Sequence, residues 1–213
     1  MENGFIHGNK RFGINVNESY ISLKNVTIYD NELGIEIDTE ASIDIVQSTV
    51  WNDSIVLNHG NGVSISNSII WSNIIINEAF GVSKISYSNF RGGMKAIEDI
   101  NAEHSHPIIN WGDGNIYTDP LFIDPENGDF RLSPDSPCID AGKIPTNSEY
   151  YGSAPDMGAH ESNYTITSIN TGTEPVDIML YHNHPNPFNP ITTISYELPK
   201  DSFVRLNIFS VNG

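Results

Sequence analysis

The sequence predicts an all-β protein in three parts: a parallel β-helix solenoid over residues 1–161, a linker over 162–182 and an incomplete β-sandwich over 183–213. A block of about twenty residues repeats through the first part, which is the period of a solenoid. Prolines then interrupt every regular pattern from about residue 101 to residue 161. Alternating apolar and polar residues return near the end of the chain and indicate strands.

Columns of apolar residues define the repeat. Within each block the pattern is apolar-polar-apolar, as in Ile21-Ser22-Leu23, so alternate side chains lie on opposite faces of a short strand. Such a strand must pair with its equivalent one block later, so the chain winds as a right-handed coil of parallel strands about 4.8 Å apart. The columns are Leu23, Ile45, Ile65 and Ile85; Ile28, Val50, Ile70 and Phe90; and Ile14, Ile35, Ile55 and Ile75.

Polar residues mark the corners and the outside of the predicted coil. Asn25 and Asn67 are expected at corners, where side-chain amides can bond along the stack, and three serines form an inward column of small residues, Ser48, Ser68 and Ser88. The outward column is expected to comprise Thr27, Thr49, Ile69 and Asn89. It is too irregular for the threonine ladder of an ice-binding solenoid, and the scattered leucines do not fit a leucine-rich repeat.

The blocks resemble the right-handed β-helix repeats of the pectate-lyase-like superfamily, as in Ile65-Ser66-Asn67-Ser68-Ile69-Ile70-Trp71-Ser72-Asn73. The resemblance covers roughly residues 5–100. It implies the fold and says nothing about activity.

Composition limits the partners and the compartment. The formal charge is −17, from 27 acidic and 10 basic residues, and this surface repels nucleic acid and anionic lipid. The single cysteine, Cys138, allows no intramolecular disulfide, and no segment has the apolar length of a membrane span. The first coil has no cap before it, so we expect missing sequence upstream.

The segment that follows the repeats is proline-rich and irregular. It runs over residues 115–142 and 154–161, and a turn at Glu126–Asp129 leads into a short strand at 130–132. This stretch resembles the one that forms the last rungs and the end of many secreted bacterial β-helix proteins. Carboxylates in it could hold calcium, although aspartates in such turns commonly accept backbone N–H bonds instead. The aspartates are Asp119, Asp124, Asp129, Asp140 and Asp156.

The last part of the chain carries a sorting motif. Residues 162–182 are polar and rich in threonine, which suits a linker, and strands are expected at 193–198 and 204–208. The motifs at 185–190 (Pro-Asn-Pro-Phe-Asn-Pro) and 196–199 (Tyr-Glu-Leu-Pro) resemble the start of the C-terminal sorting domain of type IX secretion. That resemblance implies a truncated immunoglobulin-like domain, partnership with the secretion machinery, and a secreted or outer cell-surface location.

Few residues suggest catalysis. Polysaccharide lyases on β-helices use, by resemblance, a Lys or Arg base beside acidic residues, and the weak candidates here are Arg91 and Lys95, near Glu98 and Asp99. Hydrolases on this fold cluster acids on neighbouring rungs, but Asp30, Asp44 and Asp53 do not align as such a pair. No histidine pattern predicts a tetrahedral metal site. No organic cofactor is expected, and calcium is the only inorganic candidate.

A column of aromatic residues is the clearest candidate for ligand binding. Tyr29, Trp51 and Trp71 occupy equivalent positions in successive blocks, and Arg91 follows them. An exposed column of rings could accept sugar rings, whereas a covered column would be a stabilising ladder.

The sequence as a whole favours an exported cell-surface β-helix protein of binding or structural type, in contact with extracellular polysaccharide or with other cells. The alternative is a polysaccharide lyase or glycoside hydrolase whose catalytic coils lie partly upstream. A passive stalk is a third hypothesis.

Overall fold

The computed structural model describes residues 1–77, 81–101, 103, 107–144, 150–163, 179–180, 193–194 and 196–197. The chain divides into two units, Met1–Thr165 and Ile166–Gly213. In the described residues, no helix has both the length and the apolar character needed to cross a membrane.

The first unit is a parallel β-solenoid with three faces. Its strands are β1 (Glu2–His7), β2 (Phe12–Val16), β3 (Tyr20–Tyr29), β4 (Leu33–Ile37), β5 (Ser42–Val46), β6 (Thr49–Trp51), β7 (Ile55–Asn58), β8 (Val63–Ser66), β9 (Ile69–Trp71), β10 (Ile74–Asn77), β11 (Val82–Ser86), β12 (Asn89–Phe90), β13 (Ile97–Asp99) and β14 (Ile108–Trp111). A 3-10 helix, Gly93–Ala96, joins β12 to β13.

Each face is a stack of parallel strands. The first face comprises the start of β3 with β5, β8, β11 and β14, and the second comprises the end of β3 with β1, β6, β9 and β12. The third face is the 5-stranded sheet β13-β10-β7-β4-β2, so the chain makes about five turns. β3 belongs to two faces because it bends at Asn25, which has a left-handed backbone conformation (φ 54°). The right-handed winding stays a prediction.

The predicted apolar columns are confirmed on the first two faces and wrong by one residue on the third. Leu23 pairs with Ile45, and Ile45 with Ile65; Val50 likewise pairs with Ile70. On the third face Ile55 pairs with Ile74, whereas Ile75 pairs with Val56 and points outward. The corner after Trp71 is one residue shorter than the corner after Trp51, and a run of three isoleucines hides that shift from a pattern search.

Left-handed corners and buried serines hold the turns together. Gln47, Asn67 and Tyr87 all have positive φ, like Asn25 on the preceding turn. A fully buried serine follows three of these corners, those at Gln47, Asn67 and Tyr87. The backbone N–H of Ser48 donates to Ser68 Oγ (3.1 Å), that of Ser68 donates to Ser88 Oγ (3.2 Å), and Ser68 Oγ donates to the Ser66 carbonyl (2.8 Å). The serine column therefore satisfies polar groups where the strands turn.

Residues 118–144 and 150–161, called the strap below, lie along the second face. The strap contains an antiparallel hairpin of β15 (Phe122–Asp124) and β16 (Asp129–Leu132), joined by a 3-10 helix at Pro125–Asn127. The backbone N–H of Ala159 donates to Thr49 Oγ1 (3.0 Å), and the Asn89 side chain donates to the Thr118 carbonyl (2.8 Å). The strap thus crosses several rungs of the second face, and the expectation that this segment closes the solenoid stays a prediction.

The strap also changes the environment of the column expected to face outward. Thr27, Thr49, Ile69 and Asn89 point away from the solenoid core, yet each is no more than 1% exposed. Ile69 packs with Leu132, Cys138 and Met157 of the strap in a second apolar cluster. This column is an interface inside the protein.

In the second unit, β17 (Met179–Leu180) pairs antiparallel with β18 (Tyr196–Glu197). β18 falls inside the strand expected at 193–198, while β17 lies in the segment interpreted as linker. The strand expected at 204–208 and the motif at 185–190 lie outside the described residues.

Candidate functional site

The first face carries an outward row of polar side chains on consecutive rungs. Strand pairing aligns Ser22 with Asp44, Asp44 with Ser64, Ser64 with Lys84, and Lys84 with Asn110. Asp44 and Ser64 are half-buried, and the other three are exposed. Because rungs are about 4.8 Å apart, the row extends about 19 Å. We call these five residues the polar row.

A tyrosine lies at one end of the polar row. Tyr20 is 63% exposed, and its hydroxyl donates to Asp44 Oδ2 at 2.7 Å. This hydrogen bond to Asp44 is the main cause that raises the pKa of Tyr20, with desolvation second. The phenol therefore stays protonated and presents an aromatic ring beside a carboxylate.

The polar row can bind hydrogen-bonding ligands but does not itself form an acid–base pair. Lys84 and Asp44 are two rungs apart with Ser64 between them, which is about 10 Å along the stack. At that distance neither group can exchange a proton directly with the other. The row offers two hydroxyls, a carboxylate, an ammonium and an amide on one surface.

The predicted aromatic column exists, and the strap packs on it. Trp51 and Trp71 are stacked, with centroids 6.5 Å apart and planes 8° apart. Phe122 contacts Trp51 edge to face (5.4 Å), and Phe130 lies 4.9 Å from Tyr29 and 6.1 Å from Trp51. All three column residues are half-buried. This packing indicates that the aromatic column stabilises the fold. A role of the column in ligand binding stays a prediction.

Three further residues belong to this aromatic group and were not predicted from the sequence. His7 pairs with Tyr29 across β1 and β3, and the two rings stack at 4.7 Å. The spacing of 22 residues from His7 to Tyr29 equals that from Leu23 to Ile45 and could have revealed the position. Phe122 and Phe130 carry no periodic signal, because they come from the strap.

The candidate base residues and the acidic residues near them in sequence are exposed. Arg91 follows Trp71 on the next rung, since its N–H donates to the Ile70 carbonyl (3.1 Å), and its side chain is exposed. Lys95 is exposed in the 3-10 helix Gly93–Ala96, and Glu98 and Asp99 are exposed on β13. A catalytic role for Arg91 or Lys95 stays a prediction.

The aspartates considered for calcium cap turns of the strap. Asp119 Oδ1 accepts from the Leu121 N–H (2.9 Å), and Asp124 Oδ2 accepts from the Asn127 side chain (2.9 Å). Asp129 pairs with Arg131, which lowers the pKa of Asp129 to about 2. Among the described residues, no three His, Cys, Asp or Glu side chains are grouped to hold a metal ion.

Two aspartates are buried, and each accepts hydrogen bonds from backbone N–H groups among its partners. Asp53 accepts from the Asn31 side chain (2.6 Å), and Asp156 accepts from the backbone N–H groups of Asp140 (2.8 Å) and Ser162 (2.7 Å). Desolvation is the main cause that raises the pKa of both carboxyls.

The single cysteine is also structural. Cys138 is fully buried, and desolvation raises the pKa of its thiol to about 12. At neutral pH it is a protonated, unreactive thiol.

The comparisons with known proteins identify no family for this chain. No family model matches the chain, and no curated protein matches it. A crystal structure of pectate lyase Pel9A is similar at a TM-score of 0.35 and 16% sequence identity, over 76% of this chain and 65% of that chain. The match thus spans less than two thirds of that protein. The parallel solenoid itself rests on the strand pairing described above.

Proposed function

We propose that the chain is an exported protein of binding or structural type whose first face contacts extracellular polysaccharide. The observation that carries the proposal is the polar row, with Tyr20 beside it, on a face whose outward strand residues are exposed or half-buried. A polysaccharide repeats along its length, as the row does, and its hydroxyls can donate to Asp44 and accept from Lys84 and Asn110.

The charge of the protein narrows the ligand class. With a formal charge of −17, the chain repels polyanions, and a neutral polysaccharide pays no such electrostatic cost. The strap covers much of the second face, where Phe122 and Phe130 pack against the tryptophan column. This cover favours the first face as the one that contacts a ligand.

Binding of the full chain to insoluble neutral and acidic polysaccharides tests the proposal. Tyr20→Ala combined with Lys84→Ala should weaken retention on a neutral polymer at least about tenfold, the equivalent of about 1.4 kcal/mol. Glu98→Gln, an exposed change on the third face, is the control and should bind like the wild type. Equal retention of all variants, or no retention on any polymer, would contradict the proposal.

The same samples address the enzymatic alternative. Release of unsaturated uronate products, followed by ultraviolet absorbance with and without calcium, would indicate a lyase. Arg91→Ala and Lys95→Ala would then show whether either residue supplies the base.

Delivery by type IX secretion is part of the proposal and rests on the sequence motifs at 185–190 and 196–199. In a host that has this pathway, Phe188→Ala should reduce the amount of protein at the cell surface. Unchanged surface delivery after deletion of residues 183–213 would remove this part of the proposal.

A further inference from the structure

Asp44, Ser64 and Lys84 lie on three successive interior rungs of the first face. The strands that carry them have a paired strand on both sides, because β5 pairs with β3 and β11 pairs with β14. Asp44 pairs with Ser64, and Ser64 pairs with Lys84. The residues that carry the carboxylate and the ammonium are therefore two rungs apart, about 10 Å along the stack, and strand pairing within the solenoid fixes this spacing.

A second outward column of short side chains runs beside this segment of the polar row. Val46 pairs with Ser66, and Ser66 pairs with Ser86, and all three residues are half-buried. Side chains two residues apart on a strand point to the same side of the sheet, so this column and the polar row share one surface. The surface between Asp44 and Lys84 is thus a flat strip of short side chains.

The two charged groups at the ends of this strip can each take a sugar hydroxyl. Lys84 is exposed, and the residues paired with it, Ser64 and Asn110, carry no charge. Asp44 Oδ2 accepts from the Tyr20 hydroxyl at 2.7 Å. A carboxylate has about four lone-pair sites, so Asp44 can accept from a ligand as well. The strip offers an acceptor at one end and a donor at the other.

We propose that this strip selects an extended β-1,4-linked neutral glycan over a helical α-1,4-linked one, a specificity that rests on the proposed function. Successive rings of a β-1,4-linked chain alternate in orientation, so every second ring presents the same edge. The length of two such rings is close to that of two rungs. One ring can then donate to Asp44 while the second ring along the chain accepts from Lys84, and the ring between them lies over Ser64.

The flatness of the strip supports the same choice. An extended glycan is a ribbon that can lie along three rungs without bending, whereas an α-1,4-linked chain curves and contacts only part of a flat surface. The hydroxyls of Ser64, Ser66 and Ser86 can each donate and accept, so they suit the hydroxyl-rich edge of such a ribbon.

Hexasaccharides that differ in linkage test the specificity on the full chain. The probes are cellohexaose and mannohexaose, which are β-1,4-linked, and maltohexaose, which is α-1,4-linked. Isothermal titration calorimetry should find at least one β-linked hexasaccharide bound at least about tenfold more tightly than maltohexaose. In that sugar series, affinity should rise more from the disaccharide to the trisaccharide than from the trisaccharide to the tetrasaccharide, because three rings are the fewest that reach both Asp44 and Lys84.

An exchange of two residues tests the spacing at constant composition. Ser64→Lys combined with Lys84→Ser moves the ammonium from two rungs to one rung from Asp44. This variant should bind the preferred hexasaccharide about tenfold more weakly than the wild type. The control is Lys10→Ser, which removes an exposed cation from the corner between β1 and β2 and should bind like the wild type.

No binding of any hexasaccharide, equal affinity for all three, or unchanged affinity in the exchange variant would overturn the specificity. Polymer retention that depends on Tyr20 and Lys84 would survive that result, so the proposed function would stand. Loss of retention on every polymer would instead contradict the proposed function itself.

Discussion

At the scale of residues, the buried serines do what apolar residues at the same positions could not. Ser68 sits next to the left-handed corner at Asn67, where the backbone leaves one strand and enters the next. Its hydroxyl accepts from the preceding turn and donates within its own turn. A buried N–H that loses its acceptor costs more than an average hydrogen bond contributes.

Ser68→Ala should therefore lower the free energy of unfolding by about 1–3 kcal/mol, because the buried N–H of Ser48 loses its acceptor. Urea denaturation followed by circular dichroism measures this. Ser22→Ala, which removes an exposed hydroxyl, should change stability by less than about 0.5 kcal/mol. Equal effects of the two substitutions on the free energy of unfolding would show that the buried Ser68 hydroxyl contributes no more to stability than an exposed one.

At the scale of elements, a half-buried histidine predicts that docking of the strap depends on pH. His160 near its end is half-buried against Thr27 and Phe5. Desolvation is the main cause that lowers the pKa of His160, and Asp129 partly opposes it. The folded state therefore binds fewer protons at this site than the unfolded chain, and stability rises with pH in that range.

The stability supplied by neutral His160 should be complete above the unfolded value of about 6.5 and should decline as the pH falls below it. Denaturation midpoints between pH 8 and pH 5.5 should thus fall more steeply for wild type than for His160→Gln. The range stops at pH 5.5 because burial raises the pKa of Asp156 and Glu161, whose contributions grow in the opposite direction as the pH falls. Parallel midpoint curves for the two proteins would exclude this role.

At the scale of the first unit, the strap links turns that a solenoid alone joins only to their neighbours. It contacts the second turn at Thr27, the third at Thr49 and the fifth at Asn89. Solenoid turns interact mainly with adjacent turns, so a bare stack can unfold piecewise. Contacts that span several turns favour a single cooperative transition.

Tryptophan fluorescence and far-ultraviolet circular dichroism should therefore report coincident unfolding of the first unit. Phe130→Ala removes a 2%-exposed ring between strap and column and should cost about 3–5 kcal/mol. It should also make the fluorescence change precede the loss of strand signal. Ile123→Ala, at a 46%-exposed position of the same hairpin, is the control. Transitions that stay coincident in Phe130→Ala would mean that the strap does not couple the turns.

The sequence by itself determined the period and nearly all inward residues. Equivalent residues in adjacent turns touch one another, so a spacing of about twenty residues is a direct record of contact. The third face shows the limit of this reasoning, because in Ile74-Ile75-Ile76 every register satisfies an apolar pattern, and only backbone pairing selects Ile74.

Only the tertiary structure decided which face is covered and which is open. The strap has no period, and its contacts join residues such as Thr27 and His160 that are 133 positions apart. Nothing local in the sequence records such contacts, so the outward column that contains Thr49 and Ile69 could be predicted but its burial under the strap could not. For the same reason the candidate binding surface is the polar row of the first face and not the aromatic column expected from the sequence. The strap packs on the tryptophan column, whereas the polar row stays exposed or half-buried.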